Sequence, residues 1–164
     1  MSKWFRTYGF ADVLDDLIVG AYPLDASDVA MLSAMGVRRI LNLAEDQEYR
    51  RGERAVVADA LGRAGIEEQR VSMPDFGGLP AAVLETAVQD VNQWLNEGAR
   101  TYIHCRAGWQ RSAGVAAAVI AVRTGIDVDE ALAHVQSRKP SADPLPHQRE
   151  DLRRWWRERE GRAA

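Results

Sequence analysis

His104-Cys105-Arg106-Ala107-Gly108-Trp109-Gln110-Arg111-Ser112 brings a nucleophile, fixed cations and small residues together in one short stretch. A brief apolar segment, Thr101-Tyr102-Ile103, precedes it, and a small-residue run from Ala113 to Val122 follows. That order reads as strand, tight loop and helix. A loop that feeds a helix start aims several backbone N–H groups at one point, with the positive end of the helix dipole behind them. Such a point binds phosphate. A cysteine at its base feels the same field, which favours thiolate over thiol. An arginine six positions later closes over the bound group with a planar fork that matches two phosphate oxygens.

The chemistry this supports is hydrolysis of a phosphate monoester. Cys105 is the candidate nucleophile and would form a phosphocysteine intermediate. The backbone N–H groups from Arg106 through Ala107, Gly108, Trp109 and Gln110 to Arg111, with the Arg111 guanidinium, would hold the developing charge. Small Ala107 and Gly108 suit such a nest. Ser112 either hydrogen-bonds Cys105 and helps it leave, or simply caps the following helix. His104 reads as a buried orienter of the loop rather than a general base. Trp109 either stacks on the substrate at the pocket rim or packs against a neighbouring helix. The proton donor should be a carboxylic acid on a mobile loop. Asp75 fits, in Pro74-Asp75-Phe76-Gly77-Gly78-Leu79-Pro80, thirty residues before Cys105. Gly77-Gly78 would let that loop move as a lid does. Asp59 and Asp90 are its rivals, both within predicted helices.

The pattern His-Cys-x5-Arg-Ser resembles the signature of the cysteine-based protein tyrosine phosphatases. Ala107-Gly108 and Ser112 are most similar to the dual-specificity branch. Five fixed residues at set offsets match by chance roughly once in a few million start positions. The resemblance extends from about Leu14 to Trp156, through Leu17 to Ala21, the Met35-Gly36-Val37 to Leu43 unit, and Val135 to Pro140. It implies the cysteine phosphatase fold, metal-independent catalysis without a cofactor, and a general-acid Asp at the position of Asp75. The expected substrate is phosphotyrosine, with phosphoserine and phosphothreonine beside it. The chain departs from the family at Lys139-Pro140, where Arg commonly precedes Pro, which bears on a packing or rim contact. Phosphoinositide-selective relatives often carry Lys at the variable loop positions, whereas here only Arg106 is basic. The short chain, the Asp75 loop and Pro144-Leu145-Pro146-His147-Gln148 are similar to atypical members that act on phospholipid or other non-protein phosphates, so a lipid or small phosphate monoesterase is the alternative. A sulfurtransferase or arsenate reductase is a further rival, and a pseudophosphatase that only binds phosphorylated partners is the non-enzyme one. The Asp75 loop and the Arg111-Ser112 pair speak against the first two.

The rest of the chain must position these groups. At 164 residues it suits a single domain over residues 1–164 with a proper core. A net charge of −3 gives no sign of a nucleic-acid partner or of general affinity for anionic membranes. The single cysteine excludes an internal disulfide and a CxxC metal site. No apolar stretch is long enough for stable membrane insertion, and Asp12, Asp15 and Asp16 interrupt any leader-like run before Gly20. The expectation is a soluble cytoplasmic protein that binds a phosphorylated protein or small phosphomonoester.

Aromatics from Trp4 to Leu14 favour β structure, and Asp15-Asp16 would turn that segment into Leu17-Ile18-Val19-Gly20. Ala26 to Met35 has helical spacing, and Val37 to Leu43 reads as a strand. The charge-dense run Glu45 to Arg54 reads as a solvated face leading into a helix to about Leu61, stopped by Gly62 or Gly65. Ile66 to Met73 and Thr101 to Cys105 read as strands. Helices are predicted over Ala81–Asn96, Arg111–Val122, from Asp127 to about Arg138 with Glu130 completing a capping box, and from His147 to about Arg159. The fold class is therefore α/β, with a mostly parallel central sheet of about four to five strands flanked by helices.

Overall fold

In the computed structural model, which describes residues 1–163, Thr101–His104 is the central strand of a five-stranded sheet. Along the chain the strands are β1 (Phe10–Leu14), β2 (Leu17–Gly20), β3 (Arg39–Asn42), β4 (Glu67–Arg70) and β5 (Thr101–His104). They lie side by side in the order β1-β2-β5-β3-β4. Only the β1–β2 hairpin is antiparallel, turned at Asp15-Asp16 as expected. Every residue of β2 and of β5 is buried, as befits parallel strands covered on both faces. The outer strand β4, Glu67-Glu68-Gln69-Arg70, is polar throughout and carries charges at three of its four positions, which discourages pairing with another chain.

The parallel register aligns Gly20, His104 and Asn42 across β2, β5 and β3, and Arg70 continues the row on β4. All four strands thus end on one line. The loops that follow them meet at the carboxyl edge of the sheet, where open α/β sheets bind their ligands.

The helices are α1 (Lys3–Tyr8), α2 (Ala26–Ala34), α3 (Glu53–Ala64), α4 (Ala81–Asn96), α5 (Arg111–Thr124), α6 (Val128–Arg138) and α7 (Pro146–Ala163). One apolar core joins the sheet to α4, α5, α6 and α7; a second joins its other face to α1, α2 and α3. Helix α5 is buried from Arg111 to Ala121, which its Ala and Gly content permits. A Cβ on Gly114 would lie 2.6 Å from Leu79 Cδ1. Among the described residues no helix is long and apolar enough to cross a membrane.

The structure corrects the sequence reading in three places and, of the two stops offered for α3, selects Gly65. Lys3–Tyr8 is helical, not extended. Ser2 Oγ accepts the Phe5 N–H at 3.3 Å, and Asp28 of α2 in turn accepts from Ser2 N and Oγ at 2.8 and 2.6 Å. Burial of Phe5 completes a tertiary anchor that overrides the β preference of the aromatics. The charged run folds into a short 3₁₀ turn, Asp46–Glu48, before α3 begins at Glu53. Gly65, at φ 69°, ends α3, and Gly62 lies inside it. Asp127 caps α6 through the Asp129 N–H at 2.8 Å instead of the N–H of Glu130.

Candidate active site

Cys105 stands where β5 ends, at the floor of a pocket of about 240 Å³. The loop residues Arg106, Ala107, Trp109, Gln110 and Arg111 line it, and Trp4, Tyr8, Asp75 and Phe76 wall it. Gly108 is buried behind the loop. Its φ of +76° and its approach to Gly20, whose carbonyl carbon would lie 2.5 Å from an added Cβ, leave no room for a side chain. The loop is further tied through the Arg106 carbonyl, which accepts from Tyr22 N at 3.1 Å and Trp4 Nε1 at 2.8 Å.

Ser112 Oγ lies 3.2 Å from Cys105 Sγ. The residue before α5 is Gln110, and no side chain caps that helix, so the sulfur contact and not the capping alternative describes Ser112. His104 is fully buried, with Nδ1 2.9 Å from the Cys105 carbonyl, to which it donates. Burial, with Arg54, Arg111 and Arg70 nearby, pushes its pKa down to about 3 against the opposing effect of that hydrogen bond. Burial keeps His104 a neutral imidazole, and that hydrogen bond holds it beside the loop.

Arg111 is 1% exposed. Its Nη1 donates to Glu48 Oε2 at 2.9 Å and to the Met73 carbonyl at 2.8 Å, and its Nη2 donates to Glu48 Oε1 at 2.6 Å. Nη2 also lies 3.2 Å from Asp75 Oδ1. Its Nε–H has no protein acceptor among the described residues. Burial works against the guanidinium charge, but Glu48, Cys105 and Asp75 outweigh it and raise the pKa. Burial likewise opposes charge on Glu48, yet Arg111 and the Glu45 N–H, at 2.7 Å, hold its carboxyl below the usual value.

Glu48 was not expected in the site: its side chain is 6% exposed, so the solvated-face reading of its charged run fails there. The Glu45-x-x-Glu48 spacing of a reciprocal helix cap was the signal that could have found it. Trp4 and Tyr8 were missed with their helix.

Asp75 faces the pocket that Cys105 floors, and its Oδ1 accepts the Phe76 N–H at 3.1 Å. Its rivals lie elsewhere. Asp59 is exposed on α3 and paired with Arg63 at 2.7 Å, and Asp90 on α4 lines a separate recess beside Trp94. Trp109 takes the rim position, 42% exposed, edge-on to Tyr8 at 5.4 Å. The Arg106 guanidinium stacks on Trp4 at 5.1 Å. Lys139 is buried and donates from Nζ to Ser141 Oγ at 2.7 Å, so the departure from the family concerns packing. The Cys105 thiol, the buried Arg111 guanidinium and the Asp75 carboxyl therefore meet around one pocket.

Residues 17–158 match the family model described as Dual specificity phosphatase, catalytic domain. The chain is 28% identical over 149 residues to Phosphatidylglycerophosphatase and protein-tyrosine phosphatase 1 of Mus musculus, covering 90% of this chain and 76% of that one. It is 30% identical over 142 residues to Phosphatidylglycerophosphate phosphatase PTPMT2 of Arabidopsis thaliana, covering 84% of this chain and 59% of that one. The crystal structure of PTPMT1 in complex with PI(5)P superposes with a TM-score of 0.83 at 25% identity, covering 94% of this chain and 99% of that one. Tk-PTP in its active form shares the fold, with a TM-score of 0.80 at 22% identity, covering 90% of this chain and 96% of that one.

Proposed function

The chain belongs to the dual specificity phosphatase family and is a cysteine-dependent phosphatase; we propose that Cys105 is its nucleophile and that phospholipid headgroup monoesters are its substrates. The observation that carries the chemistry is the convergence of Cys105, Arg111 and Asp75 on one pocket. In the first step Cys105 Sγ attacks phosphorus, the P–S bond forms and the P–O ester bond breaks. Asp75 gives its proton to the departing oxygen. In the second step water attacks the phosphocysteine, Asp75 takes the water's proton, and the thiolate leaves with help from Ser112 Oγ. Arg111 and the loop N–H groups hold the equatorial oxygens in both steps, with little reorganisation because Glu48 and Met73 already fix the guanidinium. Such chemistry draws on no metal, and a free thiolate suits a reducing, cytoplasmic setting.

The substrate class rests on the relatives. The mouse protein is named for phosphatidylglycerophosphate and for phosphotyrosine, and the Arabidopsis protein for phosphatidylglycerophosphate. Arg106 is the one basic residue at the variable loop positions, which speaks against a polyphosphorylated inositide headgroup. Phosphotyrosine is the second reading, favoured by the aromatic walls Trp4, Tyr8 and Trp109, which offer faces to a phenyl ring. Side-by-side hydrolysis of phosphatidylglycerophosphate, a phosphoinositide panel and a phosphotyrosine peptide tests the choice, with Cys105→Ser as the blank. Higher kcat/KM on phosphatidylglycerophosphate supports the lipid reading. Preference for the peptide returns the enzyme to the protein phosphatases, and turnover by Cys105→Ser would remove the nucleophile assignment.

A further inference from the structure

Phe76 has φ +61° and is the one non-glycine residue with positive φ among the described residues. A bulky side chain in that region is costly and persists only where its surroundings hold it. Phe76 immediately follows Asp75, and its N–H donates to Asp75 Oδ1, the oxygen that faces Arg111 Nη2 at 3.2 Å. The strained turn and the placement of the carboxyl are therefore one piece of geometry. With the Phe76 and Gly77 carbonyls held on α7, a change of Phe76 φ would swing the Asp75 side of the turn, carboxyl and Phe76 N–H together, away from Arg111.

Within the loop, the Gly77 N–H to Pro74 carbonyl bond, at 3.0 Å, is the one backbone bond across the turn. Apart from the Asp75–Arg111 contact, the other restraints come from the first turns of α7. His147 Nε2 lies 3.0 Å from the Phe76 carbonyl and 3.3 Å from that of Gly77, so it is the donor to both. Gln148 Nε2 donates to the Gly77 carbonyl at 2.9 Å. Asp151 Oδ2 accepts the Leu79 N–H at 2.9 Å and would sit 2.7 Å from a Cβ on Gly78, so the loop backbone lies directly on the helix. None of these α7 side chains lines the Cys105 pocket.

We propose that His147, assisted by Gln148, is a positioning residue that fixes the left-handed turn at Phe76 and so aims Asp75 at the leaving group. The two residues divide the work. Gln148 is fully buried and its Oε1 also accepts the Leu145 N–H at 2.9 Å, so it braces the segment before α7 as well. His147 is exposed, reaches the strained residue's own carbonyl, and is the part that can be removed without opening the core. The proposal rests on Asp75 as the general acid.

The test is kcat/KM on two aryl phosphates, phenyl phosphate with a poor leaving group and a polyfluorinated aryl phosphate with a good one. His147→Ala and His147→Gln are each made in the native chain and in Asp75→Asn, with thermal melts to verify folding. His147→Ala should lower the rate on phenyl phosphate about threefold to tenfold, the worth of one hydrogen bond, and leave the activated ester within about twofold. His147→Gln, whose amide can donate again, should recover most of the loss. In Asp75→Asn, adding His147→Ala should cost nothing more, because a residue acting through Asp75 has nothing left to position. Equal loss on both esters, no loss on either, or an added loss in the Asp75→Asn background would overturn the proposal. If Asp75→Asn alone showed no selective loss on phenyl phosphate, the assignment of the acid itself would fall, a result distinct from the others.

Discussion

Glu48 grips Arg111 with both carboxylate oxygens, at 2.9 and 2.6 Å, across sixty-three positions of sequence. The pair is almost wholly buried, with side chains 6% and 1% exposed. The carboxylate meets both terminal Nη groups end-on in a planar fork, which leaves Nε–H as the donor without a protein acceptor among the described residues. Glu48 thus sets the orientation in which Arg111 meets a phosphate. Glu48→Gln keeps the shape and removes the charge. It should lower kcat/KM by about tenfold to a hundredfold, the range of a charge-assisted hydrogen bond. Steady-state kinetics on an activated aryl phosphate would measure it, and an unchanged rate would mean that the Met73 carbonyl alone suffices to hold Arg111.

The glycine behind the loop gives a steric prediction. Gly108→Ala meets the Gly20 carbonyl carbon at 2.5 Å and must also hold φ +76°. Both strands' ends are fixed by sheet register, so the loop and not the sheet should shift. Turnover should fall to the level of Cys105→Ser. Gly98→Ala is the control: its φ is +82°, but nothing lies within 4 Å of the added carbon. It should lose about 1–2 kcal/mol of stability from backbone strain and keep its activity. Parallel melts and assays would separate strain from loss of the nest.

These two cases show why parts of the site were legible in the sequence and others were not. The loop from His104 to Ser112 is contiguous, so its chemistry could be read from spacing alone. Asp75 was legible because Pro74, Gly77, Gly78 and Pro80 mark a loop before a long helix. Glu48 was not, since a charged run looks the same whether it meets water or a buried arginine from another element. Trp4 and Tyr8 were hidden for a different reason. Six residues make too short a helix to show a period, and the anchor of α1 is Asp28, twenty-six positions from Ser2. The inner parallel strands β2, β3 and β5 were legible from their apolar runs, but the order that brings four loop ends together is a property of register.

Ser112 should matter to one step more than the other. Its Oγ is 3.2 Å from Cys105 Sγ and can donate to a thiolate, which is the leaving group only when the phosphocysteine breaks down. Ser112→Ala should therefore slow the second step. Rapid mixing with an activated aryl phosphate should give a burst of phenol followed by slow turnover, and acid quenching should trap more phosphoenzyme than in the native protein. Absence of a burst, with the first step slowed instead, would place Ser112 in forming the nucleophile and not in releasing it.

His104 predicts how stability depends on pH. Its pKa is about 3 in the folded protein against an ordinary 6.5, because the buried imidazole stays neutral. Unfolded chains bind this proton below pH 6.5 and the folded one does not until about pH 3. The unfolded state therefore gains protons as pH falls through that window, and stability drops by up to about 1.4 kcal/mol per pH unit. Glu48 adds to the loss only lower down. Its folded pKa is depressed, so its contribution is intact above the ordinary carboxylate value and fades below it. Urea unfolding between pH 7 and pH 5 isolates the histidine. His104→Asn, which can still donate to the Cys105 carbonyl, should flatten that part of the curve. A slope unchanged by the substitution would mean that His104 accepts its proton in the folded protein and is not held neutral by burial.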